Sequence, residues 1–443
     1  MSRILVSGAT LVTMEPTLGE FTGDLLIEGE RIAAIAPRIE AGDAERIDAR
    51  GFIAAPGFVN AHMHTWQTAL RGVASGWTLT GYFRQMHAGL ATRFTPEDIG
   101  IATLAGAWNQ LDCGTTTLVD WCHNNPTPAH SDAALDALAQ SGIRAAFLHG
   151  SPKPDPKPGA MPFWEMPHPR SEVERLSKRL QGSALLSLGL AILGPHYSTL
   201  EVALHDFALA REFGLLASMH QGGGSARTPD GWERLERAGL LGPHINIVHG
   251  NNLTDEQLAR FVGLGMSFSV TPENELTQGH GFPITGRLMR LGAAPSLGVD
   301  LESGPSGEMF IAARIALGVQ RALDHAAYRQ QHDDIGPAHA ASCRDALDWI
   351  TLAGARMLGM EDRIGSLAVG KQADLVLIDA RKLNMMPLHD PVSAIVMQAS
   401  LANIDSVFVA GRARKRHGRL LVDGLAGKLE RLRESGERLA AGR

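Results

Sequence analysis

Three cysteines in 443 residues, Cys113, Cys122 and Cys343, are too few for a disulfide framework, and none sits in the paired CxxC spacing of a thiolate zinc site. A disulfide-stapled scaffold is therefore excluded, and a reducing compartment fits. Also missing is any long basic run: 47 acidic against 41 basic residues leave a formal net charge of −6, which offers no electrostatic footprint for nucleic acid. A small-molecule partner is the expectation. No apolar run approaches the ~18 residues needed to span a bilayer, and Met1 to Gly8 lacks a charged-then-apolar leader, so the expected location is cytoplasmic. With 5% aromatic, 20% charged and 44% hydrophobic residues the composition fits neither disorder nor a coiled coil. The length suits one large barrel or two to three ordinary domains.

Residues 1 to 57 show the texture of short strands and turns: Ile4 to Val6, Thr10 to Met14, Asp24 to Glu28, Arg31 to Ala36 and Phe52 to Ala54, punctuated by Gly8, Gly29 and Gly51. From Phe58 onward, apolar runs alternate with amphipathic stretches, the pattern of βα units around a parallel sheet. Eight runs stand out: Gly57 to His62, Thr115 to Asp120, Ile143 to His149, Leu186 to Gly194, Leu215 to His220, Ile245 to His249, Met266 to Thr271 and Pro295 to Asp300. Eight is the barrel number. Thr254 before Asp255, Glu256 and Gln257 forms a capping box, and Ser131 is read as opening a helix that Gly142 closes.

Ala341 to Met360 reads as a last helix. Strand texture then returns at Ala373 to Asp379, Ser393 to Gln398 and Val407 to Ala410. The expected architecture is an α/β (β/α)8 TIM-like barrel, residues 58–370, inserted in a small β-sandwich built from both chain ends, 1–57 and 371–424. A polar helix over 425–443 closes the chain. The proline-rich segment from Pro152 to Pro169 is expected to be a surface loop near the barrel mouth.

Barrel enzymes place their chemistry at the C-terminal ends of the strands. There the sequence puts His62 and His64 after the first run, His220 after the fifth, His249 after the sixth and Asp300 after the eighth. His123, His149 and His196 lie at or beyond the second, third and fourth. In His62-Met63-His64 the two imidazoles share one face of a strand and can reach one ion. Three imidazoles and a carboxylate suit Zn²⁺ or Fe²⁺ with a position left for water.

These residues resemble the metal-dependent amidohydrolase superfamily, and within it the branch of cytosine deaminase, guanine deaminase and triazine hydrolase (chlorohydrolase). The resemblance spans nearly the whole chain. Its pieces are Pro56-Gly57-Phe58-Val59-Asn60-Ala61-His62-Met63-His64, Met219-His220, Val248-His249-Gly250, Leu297-Gly298-Val299-Asp300 and the tail from Ile364 to Val376. It implies that His62, His64, His220 and Asp300 hold one divalent metal, zinc first, with iron or manganese as alternatives. Asp300 would accept a proton from the activated water, and His249 would polarise the substrate. The run from Leu186 to Gly194 contains no lysine where binuclear relatives carry a bridging one, which points to a single ion. A homodimer or higher homo-oligomer is implied by the resemblance alone.

One departure matters. Deaminases of this branch carry a proton-shuttling glutamate three residues after the strand-five histidine, and here that position is Gly223, inside His220-Gln221-Gly222-Gly223-Gly224. Glu273 and Glu275, after the seventh run, are the candidate replacements; their plainer reading is turn capping or pairing with Arg287. Glu302 is a weaker candidate. Trp66, Gln67, His123 and His196 are candidate substrate contacts, with loop packing as the alternative for Trp66 and a helix-opening turn for His196. His149 reads better as a core histidine, and His87, His130, His168, His205, His244, His325, His332, His339, His389 and His417 as solvated ones. Cys122 has no arranged base to make it a nucleophile.

The leading expectation is a hydrolase of C–N bonds other than peptide bonds, deaminating an amino-substituted purine, pyrimidine, pterin or triazine. Gly223 keeps other bonds open: dechlorination, removal of an alkylamine or C–S substituent, cyclic amide hydrolysis, or a lyase reaction. A metal-binding module without catalysis is the reading from another class. A cytidine-deaminase-type zinc site is excluded because the chain has no PCxxC element. Gly222-Gly223-Gly224 lacks the context of a phosphate loop or dinucleotide fingerprint.

Overall fold

The computed structural model describes residues 3–155 and 157–442. The N-terminal part contributes β1 (Arg3–Val12), β2 (Glu20–Glu28), β3 (Arg31–Ala36), β4 (Glu45–Asp48) and β5 (Phe52–Pro56). Eight strands then form a parallel sheet in chain order: β6 (Phe58–Met63), β7 (Thr115–Cys122), β8 (Arg144–Gly150), β9 (Leu186–Ala191), β10 (Ala217–Gln221), β11 (Ile245–His249), β12 (Ser267–Val270) and β13 (Ser296–Leu297). Each starts within two residues of an apolar run, and the ends of strand and run agree to within three residues. The C-terminal part adds β14 (Leu375–Asp379), β15 (Ile404–Val409), β16 (Arg412–Arg416) and β17 (Arg419–Leu420).

The barrel closes where β6 meets the segment after β13. Met63 bridges to Asp300; His64 N donates to Asp300 O at 2.6 Å, and Asp300 N to His62 O at 2.9 Å. Gly298 permits this approach, because a Cβ there would lie 2.5 Å from His62 O. The closure and the site are thus one structural event, since the backbone that seals the barrel carries His62, His64 and Asp300.

Both chain ends share one nine-stranded sheet, in which β5 pairs with β14 antiparallel and with β1 parallel. Val6, Leu25, Ile27, Leu375, Leu377 and Phe408 pack into one core, so each end buries apolar surface that the other leaves exposed. A buried ion pair ties this sheet to the barrel. Arg144 Nε and Nη2 donate to the two oxygens of Asp374 at 2.9 and 3.1 Å, and Ala410 N donates to Asp374 at 2.6 Å. The last helix, Leu425–Ala440, lies against the barrel helix Pro96–Asp112, where Ser435 and Arg438 both reach Asp98. No described helix is long and apolar enough to cross a membrane.

Four local expectations need correction. The two first strands are one, β1, with a register shift between Val6 and Ala9 around Gly8. Ser393 to Gln398 is helical rather than extended: Asp390 caps Val392 N, Pro391 takes the first turn, and the π-helical turn Ala394–Gln398 follows. The helix expected from Ala341 to Met360 is two, Cys343–Trp349 and Leu352–Met357, broken where Ile350 O accepts Val59 N of β6 at 2.8 Å. The helix closed by Gly142 opens at Pro128 after Thr127, three residues before Ser131.

Candidate metal centre and substrate cavity

Alternation along β6 turns His62 and His64 to the same side, and β10 brings His220 to them. One ligand atom from each of His62, His64, His220 and Asp300 lies within 4.8 Å of the others. The Nε2 atoms of His62 and His220 are 3.2 Å apart, and Asp300 Oδ1 is 3.3 Å from Nε2 of both His62 and His64. His64 Nδ1 faces the Trp121 carbonyl at 2.6 Å and therefore donates to it, which turns the lone pair of Nε2 inward. Burial pushes the His62 pKa down to about 3 and that of His220 well below the ordinary value, so both rings are neutral. Their Nδ1 atoms have no hydrogen-bond partner among the described residues. Lone pairs and a carboxylate converge with too few protons between them, a donor set that fits a divalent cation.

Asp300 is held from its other oxygen as well. Asn274 Nδ2 donates to Oδ2 at 2.5 Å, and Thr271 Oγ1 lies 3.4 Å away. Burial alone would raise its pKa, but hydrogen bonds from His62 and His64 and the charge of His249 hold it well below the usual carboxylate range. His249 Nε2 stands 3.9 Å from Asp300 Oδ2, while its Nδ1 faces Glu275 Oε1 at 3.2 Å. Burial opposes protonation of His249, and the hydrogen bond to Glu275 with the charges of Asp300 and Glu275 outweighs it, raising the pKa. His249 and Asp300 both adopt left-handed backbone conformations, φ 67° and 66°. Two non-glycine residues in that region, one ending β11 and one just beyond β13, are strained, and the convergence of their side chains on the cluster accompanies that strain.

Above the cluster lies a cavity of about 360 Å³, counting the space at its mouth. His64, His123, His220, His249 and Asp300 line it. The other expected residues stand further back. Trp66 is fully buried; its indole N–H donates to His123 Nδ1 at 3.2 Å, and it packs edge-on against Phe94. Gln67 donates to Tyr82 Oη at 2.5 Å and accepts from Ser303 at 2.7 Å, so its amide holds Tyr82, which lines the cavity. Neither Trp66 nor Gln67 lines it, because the loop after β6 turns inward as the 3₁₀ turn Thr65–Leu70. His196 hydrogen bonds to Gly223 O and to Gln221, fastening the glycine loop from behind.

Glu275 is fully buried and accepts from Thr271 N and Asn251 Nδ2 as well as facing His249; it positions that ring. Glu273 does not line the cavity, and burial followed by the charge of Glu308 raises its pKa. Arg287 pairs with Asp255 and with neither glutamate. Glu302 is tied up by Thr68, Arg71, Asn109 and Gln110. Gly223 adopts φ 78°, and a Cβ there would meet Leu79 Cδ2 at 2.4 Å, so a glutamate at this position would strain the backbone and displace the Leu79 side chain. Cys122 is buried, and burial raises its pKa well above normal, which keeps it a thiol.

Several contributors escaped the strand-end rule. Asn274 and Gln278 lie on the short helix Pro272–Gln278, His280 just after it, and Tyr82 and His87 on helical turns after β6. The His280 ring lies tilted against that of His249, with centroids 4.4 Å apart. His87 is not solvated: it is 5% exposed and its Nε2 lies 3.2 Å from that of His123. His130 and His168 are buried too, His168 bonding His149 at 2.9 Å. Lys153, in the proline-rich loop, also lines the cavity. Only tertiary placement reveals these, since none carries a repeating spacing.

A family model described as the amidohydrolase family matches residues 53–414. The chain is 31% identical to the 8-oxoguanine deaminase of Pseudomonas aeruginosa, with 95% of each chain covered. It is 28% identical to the 5-methylthioadenosine/S-adenosylhomocysteine deaminase of Symbiobacterium thermophilum, with 93% of each covered. Among solved structures, the atrazine chlorohydrolase of Arthrobacter aurescens TC1 complexed with zinc superposes with a TM-score of 0.86 at 21% identity, covering 98% of this chain and 100% of that one.

Proposed function

The chain belongs to the amidohydrolase family, and on that premise we propose that it is a metal-dependent hydrolytic deaminase of an amino-substituted nitrogen heterocycle. The observation that carries this reading is the convergence of His62, His64, His220 and Asp300 at the floor of a cavity, with His249 beside them. Deaminase relatives that match along nearly their whole length support the reaction class. Those four side chains would hold one divalent ion, zinc being the first choice. Bound there, the ion would supply Lewis acidity that makes water a competent nucleophile at neutral pH.

The chain's own groups account for the rest. Water adds to the ring carbon bearing the amino group, and the C–N bond breaks. The ring keeps the oxygen, and ammonia leaves with the protons. Asp300 Oδ2, held by Asn274, accepts the proton of the attacking water and can return it to the departing nitrogen. His249, protonated and held by Glu275, donates to the ring atom on which negative charge develops. His123 closes one wall, its ring fixed by Trp66 and His87. The conformation of Gly223 supports one alternative, cleavage of a substituent that departs with less proton assistance than an amine.

The test is to incubate metal-loaded protein, in water enriched in heavy oxygen, with amino-, chloro- and alkylamino-substituted purines, pyrimidines, pterins and triazines. Mass spectrometry identifies the products. Exchange of an amino group for one heavy oxygen with release of ammonia is the expected result. Loss of a different substituent with the amino group retained would replace deamination by the alternative.

A further inference from the structure

Lys153 is buried at 6% exposure, yet among the described residues its ammonium makes no ion pair or hydrogen bond. It lies instead within a triangle of rings, Nζ being 5.3 Å from the centroid of Tyr197, 5.5 Å from Trp121 and 5.8 Å from Phe83. The faces of these rings partly replace lost hydration, but they cannot neutralise the charge. The remaining side of the ammonium borders the cavity over the ligand cluster. Trp121 also touches the ligand cluster: its ring centroid is 4.4 Å from that of His220. Among the described residues, Asp300 is the one carboxylate lining the cavity, and it is occupied by His62, His64 and Asn274. Among those residues Lys153 is the one lysine or arginine lining it.

A buried ammonium without an anion is an unfinished ion pair. We propose that the substrate completes it: the heterocycle carries a carboxylate that pairs with Lys153 while the carbon to be hydrolysed sits at the ligand cluster. One ammonium with no arginine beside it suits a monoanionic carboxylate better than a phosphate, whose recognition usually recruits several donors. Burial lowers the Lys153 pKa to about 8, and the charge of Asp300 opposes the drop, so the group is mostly protonated at pH 7. This inference rests on the deaminase reading for the position of the ring, but not for the charge it selects.

Matched pairs test it: pterin against pterin-6-carboxylate, and cytosine against 5-carboxycytosine. Binding is read by calorimetry and turnover as kcat/KM for ammonia release, with the metal-loaded full chain. The wild type should favour the carboxylate member by about 10- to 100-fold, the range of a buried charge-assisted hydrogen bond. Lys153→Met should bring the ratio close to one, and Lys153→Arg should keep most of it, with metal content and melting temperature measured for each variant. Equal affinity within both pairs in the wild type, including no binding of either member, overturns the proposal without need of a variant. So does an unchanged ratio in a folded Lys153→Met, or a loss of kcat common to both members. Carboxylate-selective binding with no ammonia released would sustain Lys153 as the anion site and defeat the deaminase reading. Ammonia from both members at equal efficiency would do the reverse.

Discussion

Asp300 has both oxygens committed. Oδ1 faces two imidazoles and Oδ2 faces Asn274 and His249, so one carboxylate joins the ligand cluster to the proton-handling side. Asp300→Asn is expected to lower kcat/KM by about 10³-fold or more, since it removes a ligand and a base together. Metal content of the purified variant separates the two losses. Glu275→Gln should cost about 10- to 100-fold through misorientation and a weaker charge on His249, seen as a change in kcat with an altered pH profile. Glu273→Gln should remain within about twofold of the wild type, because that residue does not line the cavity. The histidine pair at the end of β6, His62 within it and His64 just beyond, was legible from the i, i+2 spacing. Trp66 and Gln67 were not, because neighbours of a ligand in sequence were carried one layer back by a tight turn.

At the level of elements, the loop after β10 explains the departure from the family pattern. Its carbonyls are gripped by Tyr197 at Gly222 and by His196 at Gly223, which holds a left-handed path. Gly223→Glu therefore should not restore a shuttle. It should destabilise the protein by about 1–3 kcal/mol from backbone strain, with contact against Leu79 in addition, and lower activity. Denaturant unfolding and steady-state rates check the two halves. The barrel strands were readable because parallel strands covered on both faces are continuous apolar runs. Ser393 to Gln398 misled for the same reason: Ala394, Ile395 and Val396 form an apolar run that strand and buried helix share, and the Asp390-Pro391 start decided for helix. The break at Ile350 was hidden because its cause is a hydrogen bond to β6, far away in sequence.

The whole molecule depends on contacts between distant parts of the chain. Arg144 and Asp374 are both almost fully buried, so Asp374→Ala should strand a guanidinium and cost about 3–5 kcal/mol in unfolding free energy. The buried histidines set the acid limit. Burial holds His149 and His168 at pKa values of about 3, below the ~6.5 of the unfolded chain. The unfolded state therefore takes up protons first, and stability present above about pH 6.5 is lost progressively as pH falls toward 3. A melting curve against pH should slope downward over that window and flatten in part in a His149→Gln, His168→Gln double variant. The barrel, the pairing of chain ends and the metal-ligand candidates could be read from one sequence because periodicity and strand-end position carry them. Lys153, His280 and Asn274 could not, since loops and short helices bring them in.

The most direct measurement is anomalous diffraction at the zinc, iron and manganese edges from crystals of active enzyme. One ion per chain is predicted, enclosed by His62, His64, His220 and Asp300 beneath the cavity. No ion among those four side chains in active crystals, or a second ion bridged to it, would contradict a one-metal hydrolase.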